Sequence, residues 1–177
     1  MYRKTYDIVY TGMFTVLLAI CSWISLPTMI PFTLQTFGIF IILFVLGGKR
    51  GTMVILIYLL LGCIGIPVFS NFGAGIGYLL GNTGGFVLGF LFIGFSLWFS
   101  EKLCPAKPSV QITALLIGLM LCYLFGCFWF IQSSCAANAT KTSVFSICVL
   151  PFIIPDLCKL GMAYVLSKRI KPLLNLK

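Results

Sequence analysis

Long apolar runs, broken at intervals by proline, glycine or charge, constrain this chain more than any other feature of its sequence. Six such runs are candidate membrane spans, because a helix needs about 20 mostly apolar residues to cross a bilayer. Of the 177 residues, 60% are hydrophobic and 8% are charged, whereas a soluble domain has about 25% charged residues. The sequence predicts an all-α integral membrane protein, residues 1–177 forming a single six-helix membrane domain. The predicted spans are 8–26, 33–46, 52–69, 84–100, 110–132 and 144–167.

The positions of the basic residues predict the orientation of these spans. The net charge is +9, but the charges form short clusters between apolar runs, not the solvated basic surface with interleaved aromatic residues that binds nucleic acid. Cytoplasmic loops of membrane proteins carry an excess of Lys and Arg. With a cytoplasmic N-terminus, ten of the twelve basic residues are cytoplasmic, Lys141 alone lies in an outer loop, and Lys159 lies within the last span. We therefore expect both the N- and C-termini on the cytoplasmic side of the cell membrane.

The inventory of reactive side chains argues against metal binding and catalysis. The eight cysteines are scattered, no Cys-x-x-Cys pair occurs, and there is no histidine, so neither a zinc site nor a disulfide framework is indicated. Three acidic residues and no nucleophile paired with a base disfavour a membrane enzyme. There is no Gly-x-x-x-x-Gly-Lys-Ser/Thr motif, so any ATP must be hydrolysed by a partner. We expect no cofactor and no metal.

Glycine and proline concentrate in the segments predicted to lie toward the outside. Residues 62–89 contain half of the 18 glycines. Irregular backbone at membrane depth must face protein or a water-lined cavity, because lipid cannot bond its polar groups. We therefore expect a ligand pocket near the outer face, with residues 73–85 forming a shaped loop. Close helix packing is the preferred interpretation for the isolated glycines, namely Gly62, Gly89, Gly94, Gly118 and Gly126.

Asp156 and Lys159 are the most informative residues. Pro155 suits the first turn of a helix, and Asp156 beside it favours the positive helix end. Lys159 follows three positions later and lies on the same helical face. Charges at membrane depth are costly and usually face a cavity, although a structural ion pair is the alternative. Together the two side chains suit a ligand with N–H donors next to a carbonyl, as in a cyclic urea or amide.

Five sequence motifs carry a family resemblance that spans the chain from about Asp7 to Arg169. The motifs are Pro31-Phe32-Thr33-Leu34-Gln35-Thr36-Phe37, Leu46-Gly47-Gly48-Lys49-Arg50-Gly51, Tyr58-Leu59-Leu60-Leu61-Gly62-Cys63-Ile64-Gly65-Ile66-Pro67-Val68-Phe69, Gly81-Asn82-Thr83-Gly84-Gly85-Phe86 and Leu150-Pro151-Phe152-Ile153-Ile154-Pro155-Asp156-Leu157-Cys158-Lys159. With these motifs the chain resembles BioY, the biotin-binding S component of energy-coupling factor (ECF) vitamin transporters.

The resemblance implies six membrane helices, capture of biotin from outside, and docking on a coupling subunit driven by two ATPases. It also implies that Asp156 and Lys159 hold the ureido ring of biotin. Two residues depart from the family pattern: Asn82 stands where proline is usual, and Phe86 replaces a tyrosine. The family favours an Ala-x-x-x-Ala pattern in the first helix for docking on the coupling subunit, and the nearest stripe of small residues here is Thr11, Thr15, Ala19 and Ser22. A solitary biotin carrier that works without the ATPases remains an alternative function.

Two further parts of the ligand site follow from the expected shape of biotin. Its apolar body needs a nonpolar wall, for which Tyr78, Phe72 and Phe37 are candidates, and Gln35 is included among the predicted binding residues. Its carboxylate needs a positive locus away from Asp156. One candidate is Lys141, and the preferred one is the turn before the fourth helix, where backbone N–H groups suit an anion. The residues of that turn predicted to bind are Asn82, Thr83 and Gly84.

Overall fold

The computed structural model describes residues 2–26, 32–104, 107–133 and 149–174, with side chains from Tyr6 onward. Helices account for most of these residues, and a two-residue antiparallel strand pair joins the first two helices. A short 3-10 turn, Ser70–Phe72, precedes α3. The helices are α1 (Tyr2–Trp23), α2 (Gln35–Ile64), α3 (Ile76–Leu80), α4 (Gly84–Leu103), α5 (Pro108–Gln132) and α6 (Leu150–Leu173), and the strands are β1 (Ser25–Leu26) and β2 (Phe32–Thr33).

Within the described ranges, five helices are long and apolar enough to cross a membrane. They are α1, α2, α4, α5 and α6. Large apolar side chains cover much of the outer surface of the helices, as in Leu124, Phe128 and Val165. Such a surface needs lipid around it. The prediction of an all-α membrane protein is therefore confirmed at this level.

Predicted spans two and three are the two arms of α2, which breaks at Gly47. This residue has φ 79° and ψ 173° inside an otherwise helical run. Eight positions of continuous helix would separate Leu43 from Gly51 by about 12 Å. A Cβ added to Gly51 would instead lie 3.3 Å from the Leu43 Cα. The chain therefore folds back at Gly47, and residues 35–46 pack antiparallel to residues 48–64.

The second arm ends earlier than predicted. Gly65 has a left-handed φ of 106°, and its N–H bonds the Gly62 carbonyl while the Ile66 N–H bonds the Leu61 carbonyl. This is the hydrogen-bond pattern of a glycine helix terminus. Residues 65–69, which the sequence analysis placed in the third span, therefore belong to the loop that leads to α3. The predicted shaped loop begins within this irregular segment.

The glycines assigned to helix packing do allow close contacts, as predicted. A Cβ on Gly118 would lie 2.6 Å from the Ile93 Cα, and one on Gly94 would lie 2.7 Å from the Thr52 hydroxyl. Side chains occupy the space beside the other three: Phe69 beside Gly62, Cys122 beside Gly89, and Phe86 beside Gly126. These contacts bring α4 against both α5 and the second arm of α2.

Ion-pair and hydrogen-bond contacts gather three helix ends and the fold of α2 at one end of the bundle. Asp7, near the start of α1, pairs with Arg50 at 2.9 Å. Glu101, near the end of α4, accepts a hydrogen bond of 2.7 Å from the Gly48 backbone N–H. The C-terminus of α6 joins them, because the Tyr10 hydroxyl donates to a carbonyl just after it, at Leu174. We call this the basic end, after the described residues in these segments: Lys49, Arg50, Lys102, Lys107, Lys168, Arg169 and Lys171.

Two helices differ from the sequence expectations. On α1, Thr15 and Ala19 are buried against the rest of the chain, whereas Thr11 is half-buried. The buried part of the stripe therefore packs within the chain, and docking through its Thr11 end stays a prediction. The last helix begins at Leu150, and Pro151 fills its first turn. Pro155 therefore lies inside α6, and Asp156 lies in its second turn instead of at the positive end.

Candidate functional site

A cavity opens among the helices at the end opposite the basic end. The cavity has a volume of about 70 Å³ and is partly open to the surroundings. Every helix except α1 contributes to its wall, together with β2 and the loop before α3. The lining residues are Thr33, Gln35, Thr36, Ser70, Tyr78, Thr83, Phe86, Val87, Phe90, Leu119, Cys122, Tyr123, Phe152, Asp156 and Lys159.

Asp156 and Lys159 form a buried ion pair in the wall of this cavity. The Lys159 Nζ lies 2.8 Å from Asp156 Oδ1, and the two residues are 2% and 4% exposed. The spacing of three positions on α6 places both side chains on one helical face. Because a buried charge is costly when it is alone, the ion pair and its hydrogen bonds offset the cost of burying the two charges. The structure thus brings together the two residues singled out from the sequence.

Lys159 also connects α6 to the beginning of α2. It donates to the Thr33 backbone carbonyl at 2.8 Å and to the Thr36 hydroxyl at 3.1 Å. With Asp156, these acceptors match the three N–H donors of an ammonium group. The ammonium also lies 4.2 Å from the centre of the Phe32 ring, a favourable cation–π contact. The first motif of the resemblance therefore surrounds the lysine of the last.

Asp156 has two partners that were not predicted as site residues. The Thr36 hydroxyl donates to Oδ1 at 2.9 Å, and the Tyr123 hydroxyl donates to Oδ2 at 2.6 Å. Thr36 stands within a quoted motif, one position after Gln35. Tyr123 has no comparable signal, because it lies in the middle of an apolar span and resembles any core aromatic residue. The order of residues in the sequence does not show which distant hydroxyl groups lie close to a buried charge in the folded chain.

Gln35 lines the cavity at the first turn of α2 and bonds the opposite arm. Its Nε2 donates to the Tyr58 hydroxyl at 2.7 Å. Tyr58 in turn donates to the Val68 carbonyl at 3.0 Å, and the Ser22 hydroxyl of α1 donates to the same carbonyl. This buried network fixes the loop that follows the second arm, which carries the neighbouring cavity residue Ser70.

Of the three aromatic residues predicted for the apolar wall, the structure places one in the cavity. Tyr78 stacks on Phe69 with ring centres 5.0 Å apart, and its hydroxyl bonds Ser70. Phe72 is 64% exposed and packs against Trp23 instead. Phe37 is half-buried against the core and is not among the lining residues. The apolar wall consists mainly of residues that the sequence analysis did not predict for it: Phe86, Val87, Phe90, Leu119 and Phe152.

The turn before α4 reaches the cavity at one of its three predicted residues. Thr83 lines the cavity, whereas Asn82 and Gly84 do not. The Gly84 N–H already bonds the Gly81 carbonyl at 3.1 Å, so this donor of the predicted anion site is in use. A side chain on Gly84 would collide with the Leu79 carbonyl, which explains the glycine without any ligand. Lys141, the alternative partner for a carboxylate, lies outside the described residues.

The chemical groups that line the cavity limit what the site can do. Within the described ranges, no group of three His, Cys, Asp or Glu residues is placed to hold a metal ion. The described cavity offers one carboxylate, one ammonium, several hydroxyls and an amide, beside a largely apolar wall. Such a set binds a small ligand by complementary hydrogen bonds. The fold and site define a multi-pass membrane protein with a small-molecule cavity between its helices.

Comparison with known proteins identifies the family to which this chain belongs. A sequence model described as the BioY family matches residues 1–176. "Biotin transporter BioY" of Thermotoga maritima is 36% identical over 170 residues, covering 94% of this chain and 96% of that protein. "Probable biotin transporter BioY" of Pyrococcus horikoshii is 33% identical over 169 residues, covering 95% and 98%. The chain belongs to the BioY family, which confirms the resemblance drawn from its motifs.

A solved structure has a similar fold. It is described as the crystal structure of the S-component for biotin from an ECF-type ABC transporter. It matches with a TM-score of 0.83 and 27% identity, covering 97% of this chain and 93% of that one. The arrangement of helices described above is therefore that of an ECF S-component.

Proposed function

We propose that this protein takes up biotin as the substrate-binding subunit of an ECF-type transporter. The observation that carries the proposal is the buried Asp156–Lys159 pair in the wall of an open cavity, in a chain that belongs to the BioY family. The ureido ring of biotin has N–H donors on both sides of a carbonyl. Asp156 accepts one N–H, and Lys159 donates to the ring oxygen, which replaces one of its three present acceptors.

The apolar part of the ligand matches the apolar part of the cavity wall. The thioether ring and valeryl chain contact the apolar side chains of Phe86, Phe90 and Phe152 and the ring of Tyr78. Burial of apolar surface contributes about 25 cal/mol per Å². Gln35 and Thr83 supply polar contacts at the margin. The carboxylate binds at the turn of residues 81–85, where Thr83 reaches the cavity, with Lys141 as the alternative.

The orientation follows from the separation of charge between the two ends. Residues 1–177 form one membrane domain with six crossings, since the two arms of α2 run antiparallel and each crosses the bilayer. The arms are short for a crossing, which tilt or a thinner local bilayer accommodates. The basic end faces the cytoplasm, in accordance with the positive-inside rule. Both termini then lie in the cytoplasm, and the cavity opens toward the outside of the cell membrane.

Energy for uptake comes from partner proteins. We propose a coupling subunit and two ATPase subunits, by analogy with the ECF-type transporter whose S-component has the same fold. A solitary biotin carrier is the second candidate, and it differs in needing none of these partners. The two are separated by measuring biotin uptake in a host without coupling subunits. Uptake that requires co-expressed coupling and ATPase subunits supports the first function, and undiminished uptake without them supports the second.

Binding of labelled biotin to the purified chain tests the function most directly. Riboflavin and thiamine serve as competitors, because neither carries a cyclic urea together with an aliphatic carboxylate. We expect unlabelled biotin to displace the label and the other two vitamins to leave it bound. Displacement by riboflavin or thiamine at concentrations similar to those of biotin would assign the cavity to another ligand.

A further inference from the structure

The two oxygens of the Asp156 carboxylate have different surroundings. Oδ1 accepts hydrogen bonds from Thr36 at 2.9 Å and from Lys159 at 2.8 Å. Oδ2 accepts one bond of 2.6 Å, from Tyr123. Each carboxylate oxygen offers about two lone-pair positions. The two donors therefore occupy Oδ1 fully, whereas among the described residues Tyr123 is the one donor to Oδ2.

The bond from Tyr123 joins two helices across the floor of the cavity. Tyr123 belongs to α5 and Asp156 to α6, and both line the cavity while being almost fully buried. The carboxylate cannot turn to exchange its oxygens without breaking all three bonds. In a buried setting each broken bond leaves a polar group unpaired, which is costly. The lone pair of Oδ2 that Tyr123 does not use therefore points in a fixed direction.

We propose that Tyr123 is a positioning residue of the ligand site, which fixes Asp156 so that Oδ2 accepts a single N–H of the ligand. This inference rests on the proposed function and adds to it a specificity rule. The ring nitrogen that meets Oδ2 must carry hydrogen, because a methylated nitrogen has no hydrogen to donate and the three bonds to Asp156 keep the carboxylate from turning away from the methyl group. Tyr123 acts through Asp156 and not by its own contact with the ligand.

The test compares biotin with its two mono-N-methylated ureido derivatives. For the unaltered chain we expect one derivative to bind about tenfold more weakly than the other. The weaker derivative is the one methylated on the nitrogen that meets Asp156, because it loses one hydrogen bond to a charged group. Tyr123→Phe keeps the ring and removes the hydroxyl. We expect it to weaken biotin binding about tenfold and to reduce the discrimination between the two derivatives. Tyr164→Phe is the matched control, because Tyr164 packs on Phe44 outside the cavity and should leave both quantities unchanged.

A double-mutant cycle separates positioning from packing. If Tyr123 acts through Asp156, then Tyr123→Phe has little further effect on biotin affinity in the Asp156→Asn background. Additive losses would overturn the proposal, as would unchanged biotin affinity in Tyr123→Phe alone. Should Tyr123→Phe fail to fold, the unaltered chain decides the matter: equal affinity for both methylated derivatives and for biotin overturns the proposal. Failure of the unaltered chain to bind biotin at all would instead reject the proposed function.

Discussion

The side chains of Gln35 and Tyr58 are joined by a hydrogen bond of 2.7 Å, although they lie on the two opposite arms of α2. In an unbroken helix the 23 positions between them would place their Cα atoms about 35 Å apart. The fold-back at Gly47 brings the two residues together, with Gln35 at the cavity and Tyr58 behind it. A glycine at the basic end therefore determines the polar lining at the opposite end.

Asp156→Asn should weaken biotin binding, because it keeps the size of the side chain and removes the charge. We expect a loss of about 1.5–3 kcal/mol, or about 10- to 150-fold in Kd. Asp7→Asn is a matched control, since Asp7 pairs with Arg50 at the basic end and should leave the affinity unchanged. The measurement is binding of labelled biotin in detergent. Unchanged affinity in both Asp156→Asn and Lys159→Ala would remove the pair from the site.

Tyr78→Ala should weaken biotin binding by about 1 kcal/mol or more, because the ring is part of the cavity wall and stacks on Phe69. Phe72→Ala removes an aromatic ring only a few positions away, but that ring is exposed and packs on Trp23. The affinity of the Phe72→Ala variant for biotin should match that of the unaltered chain. Equal effects of the two substitutions on Kd would show that Tyr78 contributes through the loop and not through the ligand.

The carboxylate site is tested by comparing biotin with biotinamide, which lacks the negative charge. We expect Thr83→Val to reduce the preference for biotin about tenfold, because it removes a hydroxyl donor while keeping the shape. Thr83→Ser keeps the hydroxyl and should retain the preference. Gly84→Val is unsuitable here, since any side chain would strike the Leu79 carbonyl. If Lys141→Ala abolishes the preference and Thr83→Val does not, the carboxylate binds at Lys141.

Two glycines that differ in their surroundings provide a test of helix packing. Gly118→Ala places a methyl group 2.6 Å from the Ile93 Cα, and such overpacking costs about 1–3 kcal/mol. Gly161→Ala, on α6, meets no atom within 4 Å and should be neutral or stabilising by up to about 1 kcal/mol. Thermal unfolding in detergent measures both. A lower melting temperature for Gly161→Ala than for Gly118→Ala would contradict the packing described for α4 and α5.

The sequence by itself determined the membrane environment, the helical class and the charged pair. Apolar runs are local, so composition reports them directly, and the spacing of Asp156 and Lys159 fixes their shared face because helical geometry is regular. The motifs also identified the family without any structure. Where helix ends depended on a local signal, as at Gly65, the prediction was a few residues from the structure, since several residues nearby can end a helix.

Tertiary structure decided which residues surround that pair. Tyr123 and Thr36 reach Asp156 from helices remote in sequence, and hydrophobic pattern does not distinguish Tyr123 from an ordinary core residue. For the same reason the sequence left the role of the α1 stripe open: small residues suit contact with a partner and contact within the chain equally well. Only the packing of α1 on α2 showed that Thr15 and Ala19 face inward. The periodicity of the sequence shows which residues share one face of a helix. Which element packs against that face depends on residues far away in the sequence, so only the folded chain decides it.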